Sequence, residues 1–162
     1  MLDFISKPWV LVALFVATLA INVSFALGLE AAGGAVLDFR MNGDDAFELL
    51  NAMTAEQKSA HFWLTVVNDT AYPIAYTSLL AGIVWRFAGA ARTVLIWPAI
   101  GGGIFDLMEN TTQALALKGN EAFLGFKDVL TPVKFGLASV AVILALFFLL
   151  AAVVRRFASR NA

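Results

Sequence analysis

Asp69, Asp106 and Glu109 are carboxylic acids standing inside stretches that are otherwise mostly apolar. Such groups are costly in an apolar helix and by default face a protein interior or a water-filled cavity. Asp69, Tyr72, Pro73 and Tyr76 are spaced i, i+3, i+4 and i+7, so they share one helical face, with Asn68 adjacent. Asp106, Glu109, Asn110 and Gln113 repeat that spacing in a second helix. Asn22 and Ser24 in the first apolar stretch, and Lys134 and Ser139 in the last, fall at similar depth. Four segments thus bring polar side chains toward one level.

Three kinds of chemistry follow from such a cluster. Asp69, Glu109 and Lys134 can form a buried ion-paired network, with Asn and Gln adding interhelical hydrogen bonds of roughly 0.6–2 kcal/mol each. Alternatively, clustered carboxyls repel one another, so one stays protonated beside an ionised neighbour, which suits ligand binding or acid–base work on a lipid-like molecule. The third is ion or proton transfer along Asp69, Glu109 and Asp106. No relay of acids continues into the other half of the helices. Asp69, Asp106, Glu109 and His61 are also oxygen and nitrogen donors of the kind a hard or borderline cation takes. Asp106-x-x-Glu109-Asn110 lacks the Glu-x-x-His signature of di-iron bundles, so no metal is assigned. His61, beside Lys58, reads as a solvated interfacial histidine. Lys134 either turns in toward an acid or snorkels outward.

The elements that must carry these residues are membrane helices. Hydrophobic residues make up 60% of the 162 and charged residues 14%, against roughly 45–50% and about 25% in soluble domains. A span needs about 20 apolar residues. Stretches 8–29, 62–85, 93–117 and 132–154 qualify, and the expected fold is one all-α domain over 1–162, a four-transmembrane-helix bundle. Trp63 and Trp85 bracket the second stretch about 33 Å apart along a helix, and Trp9 and Trp97 open the first and third. Lys7, Arg86, Arg92, Arg155, Arg156 and Arg160 fall on one side, against Arg40, Lys58, Lys118 and Lys127 on the other, so both termini are expected in the cytoplasm. Lys7, the apolar run and Ser24-Phe25-Ala26 also fit a signal peptide loosely, but the run is long for one and reads as a retained anchor.

The first loop, 30–61, is long and acidic. Asp45 and Glu48 resemble a capping box, and Phe47, Leu50 and Met53 follow at helical spacing, which predicts a short amphipathic helix in the first extracytoplasmic loop, lying over the bundle as a lid or serving only as a connector. Thr54 and Gln57 form a second capping box. Ala88-Gly89-Ala90-Ala91 is a tight turn. Thr131-Pro132 reads as an N-cap followed by proline at the first helical position, unless the helix begins earlier and Pro132 kinks it. Gly101-Gly102-Gly103 has no following Lys-Ser/Thr and is no phosphate loop; it permits close helix approach or a kink.

Other classes are excluded. The chain has no cysteine, so it forms no disulfide, iron–sulfur cluster or thiolate zinc site, and its single histidine cannot ligate haem as a pair. A net charge of −1 gives no electrostatic basis for nucleic acid. No cofactor is identified. Membrane lipids, a small amphiphilic ligand, a second copy or a membrane complex are the expected partners.

The arrangement Asp69-x3-Pro73-x2-Tyr76, Pro98-x7-Asp106-x2-Glu109-Asn110 and Thr131-x2-Lys134 resembles a family of uncharacterised bacterial four-span membrane proteins, over most of the chain. The resemblance implies a bacterial cytoplasmic membrane and no stated activity. The long first loop and the acid before a proline are also similar to the emopamil-binding-protein-like (EXPERA) superfamily. That likeness implies an acid-lined cavity for sterol-like or cationic amphiphiles, although the expected cavity histidine has no counterpart within the four stretches. The sequence therefore points to an amphiphile site on Asp69, Tyr72, Tyr76, Asp106, Glu109, Asn110, Gln113, Lys134 and Asn22. A structural subunit of a larger complex and a carboxylate enzyme or ion site are the alternatives.

Overall fold

The computed structural model describes residues 1–159, which are mostly helical, with no strand among them. Arg160 lies outside the described residues. Eight α-helices follow one another: α1 (Leu2–Ile5), α2 (Pro8–Leu29), α3 (Gly43–Ala52), α4 (Ala55–Trp63), α5 (Thr70–Phe87), α6 (Arg92–Leu95), α7 (Trp97–Leu117) and α8 (Lys127–Ala158). Two regions, Pro8–Leu29 and Glu121–Ala158, are long and apolar enough to cross a membrane. Helix α5 packs against α2, α7 and α8, and α7 packs along α8.

Pro73 shapes the second long helix. Residues 64–69 form a π-helical segment joining α4 to α5, so helix runs unbroken from Ala55 to Phe87. A proline inside a helix removes the N–H that would bond four residues back and crowds that carbonyl. Here the freed carbonyl belongs to Asp69, and Asn110 Nδ2 from α7 donates to it. The widened turn takes up the crowding just before the proline.

Helices α7 and α8 each turn an inward stripe at alternating three- and four-residue spacing. On α7 it runs Ala99, Gly102, Asp106, Glu109, Gln113 and Ala116; on α8 it includes Lys127, Thr131, Lys134, Ala141 and Ala145, all buried. Small residues at one end let the helices close. A Cβ on Gly102 would sit 3.3 Å from the Ala138 amide nitrogen, and one on Gly103 would collide with Thr77 of α5. The glycine run therefore serves close approach. Ala81, Ala99 and Ala141 seal this end. At the other end Leu37, Ala46, Leu50, Leu117 and Leu124 form an apolar cluster. The polar residues lie between the two seals.

One helix start left open by the sequence is decided, and one cap and one placement differ from the sequence reading. Helix α8 begins at Lys127, so Pro132 is inside it and Thr131 caps nothing. The extra turn brings Lys127 and Thr131 onto Glu109, which a start at Pro132 would forgo. Helix α3 is capped by Asn42, whose side chain accepts from the Asp45 amide at 2.8 Å, rather than by an Asp45–Glu48 box. The amphipathic α3 buries Ala46 and Leu50 against the 121–126 segment and the end of α7, so it does not itself cover the interior. The Thr54–Gln57 capping box is formed as expected, and the 88–91 turn closes through Gly89 at a φ of +60°.

Candidate functional site

Between the seals, four carboxylates and two ammonium groups share one interior. Glu109 is fully buried on α7 and is its anchor. Its Oε1 pairs with Lys127 and accepts the Thr131 hydroxyl at 2.6 Å. Its Oε2 lies 2.6 Å from Lys134 Nζ, an ion pair that is not a well-aligned hydrogen bond. Lys134 also donates to Asp106 Oδ1 at 3.3 Å and to Asp38 Oδ1 at 3.1 Å. The open question of its direction is thus resolved inward. Tyr76 donates its hydroxyl to Asp106 Oδ2 at 2.9 Å.

Asp38 was missed by the sequence reading. It belongs to a single 3₁₀ turn, Leu37–Phe39, in the first loop. Gln113 Nε2 reaches it at 2.8 Å, so the predicted Gln113 does join the site, through a partner that periodicity could not supply. Burial works against the Asp38 charge. Lys134, hydrogen bonds to Asp69 and Gln113, and Lys127 outweigh it and hold its pKa below the ordinary carboxylate value.

Asp69 is placed differently from the expected ion-paired network. It forms no salt bridge with a cation among the described residues. Its carboxylate instead clusters with those of Asp38 and Asp106, with one oxygen of each within 4.8 Å of the others. Asn110 donates to the backbone carbonyl of Asp69 and is not among the residues lining the cavity above the cluster.

Above this floor lies a cavity of about 630 Å³. Asp38, Asp69, Asp106 and Lys134 line its base together with Tyr72 and Tyr76. Its walls are apolar: Phe25 and Leu29 of α2, Leu79 and Leu80 of α5, and Phe135 and Val142 of α8. Val36 and Phe39, on either side of Asp38, also line it and no residue of α3 does, so the first loop contributes through the segment around the 3₁₀ turn and not through α3. Asn22, Ala26, Phe135 and Val142 are both lining and exposed, which places a mouth between α2 and α8.

His61 corrects a second expectation. It is 2% exposed, lines the cavity, and is no solvated surface group. Its Nε2 accepts the Leu37 amide at 3.4 Å, so the ring proton resides on Nδ1, which has no partner among the described residues. Burial pushes its pKa down to about 4, with the Asp38 charge opposing. The unfolded chain protonates near 6.5, so the unfolded state binds the extra proton first. Stability is therefore expected to fall as pH drops from 6.5 to about 4, and His61→Gln should remove that component. Asp38 acts in a separate window, its contribution being lost only as pH falls below the ordinary carboxylate range. Melting at pH 7 and pH 4.5 checks this: wild type should lose more than His61→Gln, and equal losses would contradict it.

Comparison of the chain with known protein families, curated proteins and solved structures finds no match to any of them.

Proposed function

We propose that the protein is a four-span integral membrane protein of a bacterial cytoplasmic membrane, and that its interior cavity binds a small amphiphile. The spans are α2, the Phe62–Trp85 part of the second long helix, α7 and the apolar part of α8, with both termini cytoplasmic. The observation that carries the reading is the mouth between α2 and α8, leading from exposed apolar residues to a charged floor. In a bilayer, Phe135, Val142 and Ala26 at that mouth would meet lipid. A molecule entering there arrives tail-compatible with the walls and head-compatible with the floor. The volume of about 630 Å³ lies within the roughly 300–1,000 Å³ range of small-molecule sites. Tyr72 and Tyr76, packed ring to ring 5.3 Å apart, form an aromatic side to the path.

Photolabelling in vesicles with a diazirine-bearing fatty acid and a diazirine-bearing alkylamine tests the reading. Adducts are expected at Phe25, Leu79 or Leu80, which face the cavity. Labelling with both probes confined to outward positions such as Leu27 and Ile143 would overturn it and favour a structural subunit. The apolar outer faces of α2 and α8 would then be contact surfaces only.

A further inference from the structure

We propose that the cavity floor holds a hard divalent cation on the carboxylates of Asp38, Asp69 and Asp106. The geometry is that of one coordination sphere. Oxygens on opposite sides of a Ca²⁺ ion stand about 4.6–5.2 Å apart, twice its usual bond length. One oxygen from each of the three residues lies within 4.8 Å of the other two. An oxygen-only donor set selects Mg²⁺, Ca²⁺ or Mn²⁺ over softer metals.

Charge leads to the same ion. Three buried acids and the half-buried Asp38 face only Lys127 and Lys134 in the interior, so two negative charges would remain were all four ionised, and the hydrogen bond between Asp69 and Asp38 shows one of them held by a proton instead. Both lysines are committed to Glu109, and Lys134 reaches Asp38 and Asp106 from the α8 side. Asp69 alone has no cation. One divalent ion would displace that proton and balance the two charges then exposed. Each carboxylate oxygen has two lone pairs, so the bonds from Lys134, Tyr76 and Gln113 leave acceptor capacity for a metal.

A separate feature points to a ligand at this place. His61 is 98% buried in the cavity wall, and its Nδ1–H donor has no acceptor among the described residues. Buried donors are rarely left so. Because Nε2 already accepts the Leu37 amide, His61 suits a donor to a metal-bound water or ligand oxygen and not a direct metal ligand. The set is spread over the first loop, α5 and α7, so no short sequence motif reports it. A metal-ligating head group on the amphiphile would complete the shell, but the ion needs no amphiphile to bind.

Mn²⁺ titration of the delipidated, EDTA-treated full chain in detergent, followed by electron paramagnetic resonance, tests the proposal. Wild type is expected to take up one Mn²⁺ per chain, displaced by Ca²⁺. Asp69→Asn should weaken binding at least about tenfold, while Asp44→Asn, an exposed acid on α3, should not change it. Asp106→Asn gives a second reading should Asp69→Asn not fold. Absence of stoichiometric Mn²⁺ on folded wild type, or wild-type affinity in Asp69→Asn, overturns the proposal. Neither result depends on the photolabelling outcome, so the two readings fail separately.

Discussion

Glu109→Ala is expected to cost about 3–5 kcal/mol of stability, enough to prevent recovery of folded protein. The carboxylate is fully buried and receives Lys127, Thr131 and Lys134 together. Lys134 keeps Asp38 and Asp106 when Glu109 is lost, but Lys127 is left buried with no acid among its contacts. An unpaired ammonium in that setting is far more expensive than the pair was worth. Removing both partners together should therefore be milder than removing one. Glu109→Leu combined with Lys127→Met is expected to recover most of the loss, measured by thermal melting in detergent. A double variant as unstable as Glu109→Ala would contradict the assignment. The role of Glu109 is then to hold α7 to α8, which separates it from the cluster that faces the cavity.

Ala138→Trp is expected to abolish amphiphile binding, with a loss of at least about tenfold in photolabel incorporated at Leu79 and Leu80. Ala138 lines the cavity from α8, one turn from Lys134, between the mouth and the floor. An indole there fills the path a tail must take while touching none of the charged groups. The folded protein should survive, because the space is already present and the side chain brings apolar surface into it. Labelling equal to wild type in a folded Ala138→Trp protein would mean that the probe never occupied the cavity.

The inward stripe of α7 was legible in the sequence because helical periodicity states facing directly. Asp106, Glu109, Asn110 and Gln113 share a face by spacing alone, and all four are buried. Lys134 was legible as a residue but not in its direction, since a lysine near a helix end can turn either way. Two residues escaped for different reasons. Asp38 stands in a loop, where no period tells which side chain folds inward, and only its partners Lys134 and Gln113 reveal its place. Lys127 precedes the apolar window and looks like a flanking cation until Glu109 draws the helix one turn further. His61 was misplaced because its neighbour Lys58 and its place at the end of an apolar stretch suggest a wet position, while the Leu37 turn packs over it.

Native mass spectrometry of the full chain, released gently from the membrane, tests the amphiphile reading most directly. The prediction is an adduct of one defined mass on the wild-type chain that persists through detergent removal and is missing from Ala138→Trp. A bare wild-type chain, or the same scatter of lipid adducts on both proteins, would contradict it.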